Sequence, residues 1–165
     1  MKVIILGKRD FNKFCDYNRI DDDNVESQNI MFISIHTHWK GKENSVLDDV
    51  KSWFRRQHPN VMIMHFGDYP EEYVNKHTHE GPTGLFNEYK AKKLYEFIKS
   101  NKDKQIAVVH CGAGVSRSGA VGSFIYDIYG TMTWEEFKRK NPKINPNVHV
   151  LKLLRKEHEK DEKVS

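Results

Sequence analysis

The sequence predicts a single α/β domain with a central, mostly parallel sheet flanked by helices, and three observations predict it. Four short apolar runs rich in Ile and Val recur along the chain, stretches with helical apolar spacing lie between and after them, and no linker, repeat or low-complexity segment breaks the alternation. Strands that alternate with helices are the pattern of a sheet whose crossovers are helical. At 165 residues, 38% hydrophobic and 30% charged, the chain fits one domain spanning 1–165 that buries a core without disulfides or a structural metal.

Taken in order, Lys2 to Leu6 is an apolar run stopped by Gly7, and Asn29 to Ile35 is a second, stopped by His36-Thr37-His38. Between the second and third runs, Val46, Leu47, Val50, Trp53 and Phe54 share one face at helical spacing. Val61 to Phe66, bounded by Pro59-Asn60 and Gly67-Asp68, reads as the third strand, and Glu71 to Gly84 as a long polar loop. Phe86, Leu94, Phe97 and Ile98 predict a helix ahead of the fourth strand, Gln105 to His110. After a glycine-rich stretch the helical period returns from Gly119 to Tyr129. Thr133 with Glu136 is a capping box opening another helix, and Asn145-Pro146 is an N-cap and N1 pair opening the last. The tail from Arg155 to Ser165 interleaves both signs of charge and reads as a solvated helix end.

Composition narrows the classes of function. The net charge of +4 arises from 27 basic and 23 acidic residues mixed along the chain, a mild bias toward anionic ligands with no basic block for nucleic acid. The two cysteines, Cys15 and Cys111, are far apart, which argues against a disulfide framework and for a reducing compartment. No apolar run has the length of a leader or a membrane span. The expectation is a cytoplasmic protein with no membrane partner, and no feature specifies an oligomeric state.

The most informative stretch is Val108-Val109-His110-Cys111-Gly112-Ala113-Gly114-Val115-Ser116-Arg117-Ser118-Gly119, which leaves a strand, turns through glycines and enters a helix. Five residues between Cys111 and Arg117 can curl so that the N–H groups of Gly112, Ala113, Gly114, Val115 and Ser116 point inward, and the following helix adds its positive end. Such a field binds an anion and favours the Cys111 thiolate, a nucleophile aimed at bound phosphorus. Arg117 supplies a planar fork for two phosphoryl oxygens, and the Ser118 hydroxyl can donate to the cysteine sulfur.

This His-Cys-x-x-Gly-x-x-Arg-Ser arrangement after a hydrophobic strand resembles the signature of the protein tyrosine and dual-specificity phosphatase superfamily. Leu85-Phe86-Asn87-Glu88 with its helix, the loop and helix to Gly130, and Asn145-Pro146-Asn147 are similar to small cysteine phosphatases of bacteria and phages, so the resemblance spans about Met31 to Leu154. It implies a cysteine-phosphatase fold, hydrolysis of phosphotyrosine, with phosphoserine or phosphothreonine as further substrates, in a protein through a cysteinyl-phosphate, and no cofactor or metal.

The resemblance also implies an aspartic acid that protonates the leaving group. Asp68, in His65-Phe66-Gly67-Asp68-Tyr69-Pro70, occupies the matching position, with Glu71, Glu72 and Glu80 as alternatives. His110 is expected to orient the loop. Three other readings compete. An RNA 5′-triphosphatase or phosphoinositide phosphatase of the same fold would take a more highly charged substrate, yet Gly112, Ala113, Val115 and Ser116 include no lysine. A metal-dependent hydrolase would use His36-Thr37-His38 or His77-Thr78-His79, neither of which is completed by a further ligand pattern. A binding module without turnover would not need the full set of Cys111, Arg117 and Asp68.

Overall fold

The four apolar runs become four strands, β1 Lys2–Gly7, β2 Ile30–His36, β3 Val61–His65 and β4 Ile106–Cys111. They form one sheet in the order β1-β4-β2-β3, and every pair of neighbours is parallel. The structure, a computed structural model, describes residues 1–37, 52–77 and 84–165. The helices among these are α1 Lys8–Tyr17, α2 Glu71–Lys76, α3 Glu88–Ser100, α4 Arg117–Tyr129, α5 Trp134–Lys140 and α6 Val148–Val164.

Successive strand side chains point to opposite faces, and both faces are covered. Ile33, Ile35, Met64, Val109 and Cys111 pack with Leu94, Ile98, Phe124 and Leu154 beneath α3, α4 and α6. Phe32, Val61 and Val108 pack on the other face with Phe11, Cys15, Ile20, Val25 and Phe54. Burial on both faces is why these strands read as unbroken apolar runs. No helix among the described residues is long and apolar enough to cross a membrane.

Three expectations need correction. The polar stretch from Glu71 begins as α2, with Glu71 and Glu72 in its first turn and Val74 buried; one inward apolar residue leaves no period to read. The last helix starts two residues later than Asn145-Pro146 suggests. Asn145 donates its backbone N–H to the Val115 carbonyl at 2.9 Å, and Asn147 is the cap, its side chain accepting from Val150 N at 3.0 Å. Of the helix expected between the second and third strands, Val46, Leu47 and Val50 lie outside the described residues. Trp53 and Phe54 form a bend instead, with Phe54 buried and Trp53 Nε1 bonded to the Ile20 carbonyl at 2.9 Å. The capping box at Thr133 forms in one direction, its hydroxyl accepting from Glu136 N at 3.2 Å. α1 was not among the expected helices, although Phe11, Phe14 and Cys15 form its inward face at i, i+3 and i+4.

Candidate active site

β1 and β4 lie side by side, but α1 leaves β1 toward one face of the sheet while α4 leaves β4 toward the other. Between strand ends whose helices diverge, an α/β sheet opens a crevice, and the segment 112–116 fills it. Gly7 pairs in register with Cys111, and Lys8, the first residue of α1, donates its backbone N–H to the Gly112 carbonyl at 3.1 Å. Gly114 has φ +74°, and a Cβ there would stand 2.4 Å from Gly7 N. Both the dihedral and the close approach require glycine. The β1–α1 corner is therefore the backstop of the loop.

Cys111, 2% exposed, places Sγ 3.0 Å from Oγ of Ser118, which is fully buried in the first turn of α4. Either the thiol or the hydroxyl can donate in this contact. Arg117 is also buried, and its Nη1 donates to the Phe66 carbonyl and to Thr37 Oγ1, each at 2.9 Å. Both acceptors are neutral, and Nε and Nη2 make no hydrogen bond among the described residues. That leaves one two-nitrogen edge of the fork for an anion. Thr37 and Phe66 directly follow β2 and β3, so three strand ends converge on Arg117.

Asp68 stands exposed at the same loop. Its Oδ1 accepts from Ser116 Oγ at 2.7 Å and from Asn147 Nδ2 at 2.8 Å. Glu71 faces away into an ion pair with Lys152 of α6 at 2.7 Å, whose ammonium holds the carboxyl below its usual range. Glu72 is exposed on α2, and Glu80 lies outside the described residues. The structure thus brings Cys111, Arg117, Ser118 and Asp68 to one loop together with Gly112, Ala113, Gly114, Val115 and Ser116.

Behind the loop, on the α1 face, lies a buried polar cluster. Ser34 Oγ contacts His110 Nε2, stands 3.1 Å from His36 Nε2 and 3.4 Å from Ser52 Oγ. Register explains the grouping, since Ser34 pairs with His110 and His36 with His65. The His110 ring packs on Phe11 with centroids 4.0 Å apart, and its Nδ1 is 3.3 Å from the Cys111 carbonyl. His110 is placed to hold the loop from behind. For the histidine pairs, His38 and His79 lie outside the described residues, and His77 donates through Nδ1 to the Tyr73 carbonyl at 2.7 Å. Among the described residues no three His, Cys, Asp or Glu side chains gather to hold a metal ion.

The chain matches no model of a known protein family, and no curated protein matches it. Two site residues escaped sequence reading. Thr37 stood only as the middle of a histidine pair, and Asn147 only as part of an Asn-Pro-Asn segment. Asn just ahead of the last apolar-periodic run is a readable capping signal, but the partners across the molecule are not readable.

Proposed function

We propose that this chain is a cysteine-dependent phosphatase with a protein-tyrosine-phosphatase-like fold, acting on phosphotyrosine and related monoesters in protein substrates. The observation that carries the reading is the convergence of Cys111 Sγ, the Ser118 hydroxyl, the Arg117 fork and the Asp68 carboxyl on one glycine loop at the carboxyl end of β4.

The chemistry divides into two displacements. The phosphoryl group lies in the loop against its N–H groups and the free edge of Arg117. Cys111 Sγ attacks phosphorus, the bond from phosphorus to the ester oxygen breaks, and Asp68 gives its proton to that oxygen, releasing a neutral alcohol or phenol. A water then attacks the cysteinyl-phosphate, its proton passes to the Asp68 carboxylate, and the sulfur departs as thiolate toward the Ser118 hydroxyl. The sum is monoester plus water giving alcohol plus phosphate, with no redox change. Arg117 follows the charge on the equatorial oxygens through both steps. The absence of lysine from positions 112–116 favours a singly phosphorylated group over a polyphosphate.

The test is hydrolysis of p-nitrophenyl phosphate in the presence of a chelator. Wild type should turn over, and Cys111→Ser should lose turnover while still binding phosphate, because serine fits the loop but does not ionise there. A Cys111→Ser protein that keeps a large share of wild-type kcat would sink the reading.

A further inference from the structure

Asn147 makes more contacts at this site than its capping role needs. A cap uses only a side-chain acceptor, which Oδ1 supplies to Val150 N at 3.0 Å. That bond fixes the orientation of the amide, so Nδ2 is the donor end. Nδ2 donates to Asp68 Oδ1 at 2.8 Å and to the Tyr69 carbonyl at 3.0 Å, while the backbone N–H of Asn147 donates to the Ser116 carbonyl at 3.0 Å. One residue, 8% exposed, therefore ties the start of α6 to the segment bearing Asp68 and to the phosphate loop.

We propose that Asn147 is a positioning residue for the general acid, holding Asp68 so that its transferable proton is carried on Oδ2. The inference rests on the reading of Asp68 as the acid. A protonated carboxyl has one hydroxyl oxygen and one carbonyl oxygen with two lone pairs. Oδ1 receives two donors, Asn147 Nδ2 and Ser116 Oγ, which suits the carbonyl oxygen and leaves the proton to Oδ2. Once the proton has gone to the ester oxygen, the same two donors hold the carboxylate until it takes a proton from the attacking water. Serine or aspartate at 147 would keep the helix cap but lose the Nδ2 donor, so capping and positioning can be separated.

The experiment compares Asn147→Ser and Asn147→Asp with wild type on phenyl phosphate, a poor leaving group, and a dinitrophenyl phosphate, a good one. Loss of acid positioning should lower kcat on phenyl phosphate by on the order of tenfold more than on the activated ester, and more in Asn147→Asp, where a second carboxylate faces Asp68. In an Asp68→Asn background, Asn147→Ser should add no further leaving-group-dependent loss, because the group it positions is gone. Equal losses on both esters in the cap-preserving variants, or full additivity with Asp68→Asn, would reduce Asn147 to a helix cap and overturn the proposal. If Asp68→Asn alone shows no leaving-group dependence, the assignment of the acid fails and the proposal falls with it, a result distinct from either of the others.

Discussion

Cys111 sits at a strand end whose neighbours on both sides are fixed, and that placement decides which substitutions the site tolerates. Arg117 illustrates the point. Its Nη1 is committed to the Phe66 carbonyl and Thr37 Oγ1, and only a planar guanidinium has a second edge left to meet two phosphoryl oxygens. Arg117→Lys keeps the charge but has one nitrogen to share among four acceptors. It should lower kcat on p-nitrophenyl phosphate by about 10²-fold or more and weaken phosphate binding; steady-state kinetics that match wild type would make the arginine a structural residue. At this scale the sequence was legible where the site is contiguous. Cys111, Arg117 and Ser118 lie within one turn of chain, and their spacing fixes their geometry. Thr37 and Asn147 were not legible, because their contacts with Arg117 and Asp68 span 80 and 79 residues, and neither residue type announces a partner that distant.

The elements differ in how clearly their sequences announce them, and for the same reason they differ in what holds them. Strands buried on both faces were located to within a residue or so, since an apolar run of that length with Ile and Val has few other uses. α2 buries one residue, so no period marks it, whereas α1 carries Phe11, Phe14 and Cys15 at helical spacing and starts at the corner that braces the loop after β4. α6 packs Val150 and Leu154 into the core shared with α3 and adds polar contacts at its far end. Asp161 Oδ2 accepts from Tyr95 OH at 2.7 Å and from Lys99 Nζ at 2.8 Å. The Lys99 bond, then the Tyr95 bond, hold the Asp161 carboxyl below its usual range, and burial, reinforced by Asp161, pushes the Tyr95 phenol up. A carboxyl lowered in the folded state contributes stability that is complete above its unfolded value, about pH 4, and is lost as pH falls through the lower folded value. Denaturant unfolding followed from neutral to acid pH should therefore show a decline below about pH 4 that is shallower in Asp161→Asn. An identical slope in the variant would show that this pair does not couple α3 to α6.

Across the whole molecule, the two cysteines are separated by the sheet. Cys111 belongs to the core beneath α3, α4 and α6, whereas Cys15 belongs to the core beneath α1, fully buried, with its thiol pushed up to about 12 by that burial. Cys15 is thus a small apolar residue of the core, and the proposed chemistry rests on Cys111 alone. The strand order β1-β4-β2-β3 puts β4 between β1 and β2, so the loop after β4 is supported by the ends of its neighbours. That order could not be read from the sequence, because parallel strands joined by crossovers leave no local mark of which strands become neighbours. The alternation of strands and helices, and the parallel sheet it implies, could be read. The measurement that bears most directly on the account is a rapid acid quench of wild-type protein turning over p-nitrophenyl phosphate, followed by peptide mapping of the trapped phosphoryl group. The account predicts a thiophosphate ester on Cys111, absent from Cys15 and lost in Cys111→Ser. A phosphoryl group trapped on a histidine or serine, or turnover whose quenched protein never carries phosphate on Cys111, would contradict it.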